Sequence, residues 1–488
     1  MVDTLTAKKS LPEIHFTELP EDDIKWCAVS LADIFKAKKR LEASVFEIGG
    51  RHAREIIANC KYGTLPLSEI IIRAYYPGRF KRIYSDSVNG VPFFLPSQMT
   101  AIRPHTDKYI SAITKYAIDD LRLIAGDVLL TRSGTIGKVI LVSKTLENAV
   151  YSDDVIRLTP KDGMAGYLYA YLRSEVGNTI LQTNQYGSVI KHIEPEHLAN
   201  IFAPNPPWDI KRRINDLVVR SFALRDESND LIDRATTMLV EALKLPPIQE
   251  IKTKQFGDGA EANNFSVRLS DVAGRLDASC HAPIATAITK HLYKHANEVT
   301  TIGDKRVSKK IILPGRFKRI YVDEGQGRVF IGGKQIHELD PLNKKYLSLA
   351  LHGTRIKDQL ELHENMTLIT CSGTIGKIAL VPKHWENWAA SQHIIRVVPA
   401  DENIAGFIAV FLSSDYAHPL ITRYIYGSVV DEIDANHVAQ IPFPILKDDT
   451  TQAKINRLAL EANQLRYEAY ELEQKALQIM NDEVIFAK

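Results

Sequence analysis

Two stretches of the chain place apolar or small residues at alternating steps of three and four. The first runs Ile214, Leu217, Ser221, Leu224, Ser228, Leu231, Ala235, Met238, Ala242. The second runs Ile455, Leu458, Ala462, Leu465, Ala469, Leu472, Ala476, Ile479. This is the heptad spacing of a seam along which one helix packs on another. Both seams alternate large with small residues, so two backbones can approach closely. The pattern predicts two helices of roughly 34 residues, each a rod on the order of 50 Å long. They can zip to each other, or each can pack on its own globular part. Elsewhere, short β-branched runs between Gly, Ser and Asp read as strands: Asp127–Thr131, Val139–Val142 and Val155–Leu158, then Met366–Thr370, Ile378–Val381 and His393–Val398. A helical apolar pattern follows each set, at Tyr167–Arg173 and Phe407–Ser413.

The two sets match because the chain repeats itself. PGRFKRIY at Pro77–Tyr84 returns at Pro314–Tyr321, SGTIGK at Ser133–Lys138 returns at Ser372–Lys377, and YGSV at Tyr186–Val189 returns at Tyr426–Val429. The register extends to VSLADIF (Val29–Phe35) against VRLSDVA (Val267–Ala273), and to RLEAS (Arg40–Ser44) against RLDAS (Arg275–Ser279). A period near 240 residues is far too long for a solenoid unit and fits a duplicated domain. The expected order is an N-terminal extension (1–25), a first globular domain (26–208), a first helix (209–245), a linker (246–264), a second globular domain (265–446) and a second helix (447–488). Pro246 and Pro247 stop the first helix, and GDGAEANN at Gly257–Asn264 reads as a polar linker. The fold class is α+β. Antiparallel helices would relate the halves by a pseudo-two-fold axis, with the globular heads inverted at opposite ends of a spacer. Duplex DNA has the same kind of two-fold, and the spacer would cover on the order of ten to fifteen base pairs.

Composition is that of an ordinary soluble protein, with 45% hydrophobic and 25% charged residues and a net charge of +2. Any nucleic-acid contact must therefore come from local patches. Four cysteines without CxxC spacing and scattered histidines argue for reduced thiols and against a disulfide framework or a metal site. The polar first 25 residues do not read as a signal peptide, and no apolar run is long enough to cross a bilayer, so a cytoplasmic location is expected.

PGRFKRIY carries the sharpest chemistry. Arg79, Lys81 and Arg82 crowd Phe80 and Tyr84, and Arg316, Lys318 and Arg319 crowd Phe317 and Tyr321. Cations beside aromatics suit phosphate contact with base or sugar packing. SGTIGK lacks the residues of a P-loop and reads as a hairpin, whose Lys138 and Lys377 could reach phosphates. YGSV reads as a turn offering Ser188 or Ser428. The halves diverge most at Ser85–Leu123 and Val322–Leu362, where Gln98, Arg103, Lys334, Gln335 and His337 are candidate base-edge contacts. Asn205–Trp208 reads NPPW, the type of motif with which N6-adenine methyltransferases hold a flipped base. It has no counterpart in the second half and sits where prolines start a helix.

With its two GDVLLTRSGTIGK-like segments (Gly126–Lys138 and Glu364–Lys377), its YGS turns and its long helices beginning KRRIND (Lys211–Asp216) or QAKINR (Gln452–Arg457), the chain resembles the specificity subunit of Type I restriction–modification enzymes. The resemblance implies two target recognition domains, each reading half of a bipartite, asymmetric DNA site. It implies no catalysis in this chain. The helices would serve as a ruler and dock two methyltransferase subunits carrying S-adenosylmethionine, with motor–nuclease subunits as further partners. Leu217, Leu224, Leu231, Met238, Leu458, Leu465, Leu472 and Ile479 are the expected helix-interface residues. The alternatives are a self-contained adenine methyltransferase using NPPW, or a scaffold that binds proteins rather than DNA.

Overall fold

The computed structural model describes residues 28–36, 41, 46–114, 118–185, 191–251, 265–272 and 274–488. The N-terminal extension, most of the linker, the RLEAS segment apart from Leu41, and the first YGSV turn with Ser188 lie outside the described residues.

The mixed helix and sheet content is built twice. In the first half an antiparallel sheet runs Ile71–Tyr75, Val155–Pro160, Val128–Thr131, Val139–Leu141 in spatial order. In the second half the order is Ser308–Ile312, Ile394–Pro399, Thr367–Thr370, Ile378–Leu380. A second sheet runs Tyr84–Ser85, Tyr109–Ser111, Gly90–Phe94, Val150–Tyr151, matched by Tyr321–Val322, Lys345–Ser348, Gly327–Ile331, Ala389–Ala390. Its last pairing is parallel in both halves. A two-stranded ribbon, Thr64–Pro66 with Phe202–Pro204, recurs as Glu298–Thr301 with Pro442–Ile445. The segments that diverge in sequence therefore keep one frame. They differ mainly in the crossover, where the second head carries a helix, Leu349–Arg355, ahead of the turn Ile356–Leu360 that matches Ile118–Leu121 of the first head.

Buried arginines clamp the two sheets at matched positions. Arg157 donates to the carbonyls of Leu121, Tyr151 and Val155. Arg396 donates to those of Leu360, Ala390 and Ile394, and burial pushes its pKa down to about 9. Each guanidinium satisfies loop carbonyls that would otherwise be stranded away from water.

The first long helix spans Trp208–Ala242 and the second Asp449–Ile479. The first begins one residue inside the segment expected to close the first head, with Pro207 at its N-cap. The helices run antiparallel. Arg213 pairs with Glu483 at 2.9 Å, the Ser221 hydroxyl donates to the Ala469 carbonyl at 2.6 Å, and Arg466 reaches Ser228 at 3.3 Å. Of the expected seam residues, Leu224, Leu231, Leu458 and Ile479 are buried, while Leu217, Met238, Leu465 and Leu472 are half-buried. Ser221, Ser228, Ala235, Ala462, Ala469 and Ala476 are all buried.

Each helix also packs on its own head, so the two packing alternatives hold together. The first head's core takes in Ile214, Val218 and Phe222 of the first helix, with Ala476, Ile479, Met480 and Val484 from the end of the second. The second head's core takes in Ile455, Leu458, Ala459 and Ala462, with Leu231, Ala235 and Leu239 from the end of the first. Leu243, Leu245 and Ile251 join that core, so the start of the expected linker is docked on the second head.

A glycine–asparagine clasp fixes each head to its helix. The Gly166 N–H donates to Asn215 Oδ1 at 2.9 Å, and the Gly406 N–H donates to Asn456 Oδ1 at 2.8 Å. A Cβ at Gly166 would lie 2.5 Å from the Asn215 carbonyl oxygen, and one at Gly406 2.4 Å from that of Asn456. Only glycine lets the backbones meet there.

Further along, equivalent positions use different chemistry. Asp226 accepts hydrogen bonds from Ser143 Oγ, Thr145 Oγ1 and the amides of Lys144 and Thr145. In the second head His384 instead stacks on Tyr470 with ring centroids 4.0 Å apart, and its Nε2 faces the Leu339 carbonyl at 2.8 Å.

The expectation of heads simply parted by the stalk needs correction. The two heads also touch at mid-stalk, where Ala101 pairs antiparallel with Glu338 and the Ile102 amide donates to the His337 carbonyl at 2.9 Å. Ala101 and Glu338 are equivalents (338 − 101 = 237, the offset of PGRFKRIY), so this self-matching contact lies on the pseudo-two-fold axis. Beside it a polar junction joins all parts. Glu473 takes hydrogen bonds from Tyr169 Oη at 2.6 Å and from Arg225, and Arg173 donates to the Asp340 carbonyl at 2.9 Å. Burial would raise the Glu473 pKa, but Arg225 and Arg173 outweigh it and hold the carboxyl below its ordinary range.

Two predictions follow from this packing. Gly166→Ala and Gly406→Ala should each destabilise the fold by about 1–3 kcal/mol through overpacking, read as a lower melting temperature than for a control at Gly353, where a Cβ would meet nothing within 4 Å. Burial holds His337 and His384 neutral, with pKa values of about 4 against an ordinary 6.5. Their contribution to stability is complete above about pH 6.5 and lost as pH falls toward 4. The melting temperature should drop over that interval, and His384→Phe should shrink the drop; an equal drop in the variant would contradict this.

Candidate nucleic-acid interface

The basic–aromatic segment adopts one conformation in both heads. Pro77 and Pro314 are buried, while Phe80 and Phe317 turn inward onto clusters containing Phe93 and Phe330. Arg79, Lys81, Arg316 and Lys318 project outward and are exposed. Tyr84 and Tyr321 are 48% and 40% exposed, so each offers part of its ring to a ligand. Their inner edges rest on Phe93 and Phe330, at centroid distances of 6.3 and 6.0 Å.

A lysine stands over each tyrosine: Lys108 Nζ is 6.0 Å from the Tyr84 ring and Lys345 Nζ 5.2 Å from the Tyr321 ring. Neither lysine is singled out from sequence, although both sit in a KY dipeptide at the same place in each divergent segment. Cation, exposed ring and cation thus recur at the edge of the second sheet of each head. That arrangement can meet a phosphodiester backbone with its cations and a sugar or base with its ring.

Arg82 and Arg319 differ from their outward neighbours. Each guanidinium lies over a ring, Arg82 5.4 Å from Phe93 and Arg319 5.6 Å from Phe330. Arg82 is tied to Asp153 at 2.6 Å, which holds it as structure.

SGTIGK is a hairpin turn in both heads, joining antiparallel strands. Gly134, Gly137, Gly373 and Gly376 take positive φ there, and Thr131 and Thr370 hydroxyls donate across the turn to the Thr135 and Thr374 carbonyls. Lys138 does not project toward a ligand. It forms an ion pair with Glu338 of the other head at 2.9 Å. Lys377 is half-buried, and Ala101 stands where a matching carboxylate would be.

Four further candidates make contacts within the chain. Gln98 Oε1 accepts from the Leu95 amide at 2.8 Å, and Gln335 Oε1 accepts from the Gly332 amide at 3.0 Å, so both amides cap local turns. Arg103 is paired with Asp233 on the first long helix. His337 is half-buried with Nε2 at 2.9 Å from the Ile378 carbonyl. These side chains lie near the mid-stalk contact, where chain geometry uses them. Lys334 and Ser428 are exposed, the latter beside Val429, which is 94% exposed.

NPPW forms the start of the first long helix. The Asn205 amide donates to the Gly63 carbonyl, and its Oδ1 accepts from Lys211 Nζ at 2.5 Å. Among the described residues no group of three His, Cys, Asp or Glu is placed to hold a metal ion, and no helix is long and apolar enough to cross a membrane.

No protein-family model and no curated protein sequence matches the chain. Among solved structures it is similar to the Type I restriction–modification S subunit from M. genitalium, at 12% identity, with 86% of this chain and 96% of that one covered and a TM-score of 0.31. It is also similar to the HsdS subunit from Thermoanaerobacter tengcongensis, at 14% identity, with 85% and 95% covered and a TM-score of 0.26. A structure concerned with complex assembly and conformational transition of the type I R-M system matches at 13% identity, with 85% and 96% covered and a TM-score of 0.27.

Replacing Arg79, Lys81, Arg316 and Lys318 together by alanine should weaken binding of the purified chain to duplex DNA. The salt slope of log K should fall by roughly one per phosphate contact removed. An unchanged slope would take these residues out of the interface.

Proposed function

We propose that this chain is the non-catalytic specificity subunit of a Type I restriction–modification system. Each head reads one half of a bipartite, asymmetric DNA site, and the helix pair sets the length of the unread spacer. The observation that carries this reading is the pairing itself: two heads of one frame but different surfaces, inverted about a pseudo-two-fold axis and fixed on one antiparallel stalk. Such an object matches two separated half-sites on a duplex, whose backbones share that symmetry. The divergent second sheets and the extra helix of the second head give the two readers different surfaces, as an asymmetric site requires.

The methyl transfer would be done by partner methyltransferase subunits holding S-adenosylmethionine and docked along the stalk, with motor–nuclease subunits joining where restriction accompanies modification. A self-contained methyltransferase is disfavoured by the use of Asn205 in seating the helix. A protein-binding scaffold leaves the paired cation–tyrosine arrays without a role.

The reading is tested by selecting duplexes from a random library with the chain and its partner methyltransferase, then sequencing the methylated sites. A split motif with an invariant gap is expected. A continuous motif, or no enrichment, would overturn it. Inserting one heptad into each long helix should lengthen the gap while leaving both half-motifs intact, and an unchanged gap would exclude the stalk as ruler.

A further inference from the structure

The heads share a frame but differ in charge at one matched place. In the first head the carboxylates of Asp153 and Asp154 lie 2.6 and 3.8 Å from Arg82, and Asp154 also lies 3.7 Å from Arg132. An offset of 239, that of SGTIGK, puts Gln392 and His393 at those positions in the second head, and Cys371 opposite Arg132. Both carboxylates are gone, and one cation with them.

Arg319, the counterpart of Arg82, keeps its place over the ring, but among the described residues no carboxylate pairs with it. Its Nε and the Gln392 Oε1 are buried without a hydrogen-bond partner. Gln392 Nε2 lies 3.1 Å from His393 Nε2, while His393 Nδ1 is engaged by Ser372 Oγ. Burial, then Arg319 and Arg316, push the His393 pKa down, and Ser372, whose hydroxyl engages the ring, bridges to Glu432, the partner of Arg316. Glu432 pairs with Arg316 at 2.9 Å, through an arginine side chain that is 79% exposed. An ion pair so exposed is worth little and can open to a stronger anion.

Resting on the DNA-recognition reading above, we propose that Arg316, Arg319, Gln392 and His393 form a backbone-phosphate site on the second head that the first head has cancelled internally. A duplex phosphodiester would take charge-assisted hydrogen bonds from the two guanidinium groups and a neutral one from the Gln392 amide or His393. The second head thereby supplies more of the salt-dependent binding, and the first relies more on its outward lysines and tyrosine. The asymmetry lies in backbone grip as well as in base reading.

Reciprocal exchanges test this on the full-length chain with a random-sequence duplex, where phosphate contacts dominate. Gln392→Glu restores a carboxylate beside Arg319 and should lower the salt slope by about one, with severalfold weaker binding at low salt. Asp153→Asn with Asp154→Asn frees Arg82 and should raise the slope by about one. Wild-type slopes in both variants, while a variant with Arg79, Lys81 and Lys318 replaced by alanine binds poorly, would overturn this site and leave the DNA reading standing. Absence of salt-dependent duplex binding by the wild-type chain would instead remove the reading on which the site rests. Tight binding of inorganic phosphate that is lost in Gln392→Glu, with duplex binding unaltered, would reassign the site to small anions and overturn the proposal.

Discussion

Close contact between two antiparallel helices is the constraint from which the remaining geometry follows. Serine and alanine at alternate seam positions bring the backbones near enough for Ser221 to donate to the Ala469 carbonyl. Large residues between them fill the flanks. Because the seams are 241 residues apart in one duplicated chain, an antiparallel pairing forces the halves into a two-fold relation. Each head is then built into the core at one end of the pair, drawing on its own helix and on the tail of the other. Neither head can turn without breaking the contacts that hold the helices together.

The duplication preserves what positions the heads and lets the rest drift. Sheet orders, buried arginine clamps and glycine–asparagine clasps are the same in both halves, since each satisfies buried backbone groups that a substitution would strand. Elsewhere one position serves the same end by other means. Asp226 cages a turn with hydrogen bonds, and the second head presses His384 against Tyr470. At the mid-stalk junction Glu338 faces Lys138 on one side of the axis and Ala101 has no such partner on the other. A single chain is free to break its symmetry in this way, and a reader of two unlike half-sites needs that freedom.

Much of this is legible in the sequence because periodicity and repetition report backbone geometry directly. The heptads locate both helices, the β-branched runs locate the central strands, and the duplicated glycines of SGTIGK mark a turn that needs positive φ. Side-chain destinations are less legible. Gln98, Gln335, Arg103, His337 and Lys138 have residue types that suit base or phosphate contact, but type alone cannot distinguish an outward side chain from one that caps a turn or bridges two heads. Lys108 and Lys345 lay in the only dipeptide that the divergent segments share, and that coincidence was the available signal. The second stripe on each helix, Val218 and Phe222 or Asn456 and Ala459, was hidden because a heptad search follows one seam and these helices bury two.

The pairing direction of the helices is tested most directly by cysteine cross-linking. With Ser221→Cys and Ala469→Cys in one chain, oxidation should form an intramolecular disulfide, because the structure places these positions in contact. Ser221→Cys with Ala462→Cys, the pair that a parallel arrangement would bring together, should stay reduced. Cross-linking of the second pair and not the first would contradict the antiparallel stalk and the inverted heads built on it.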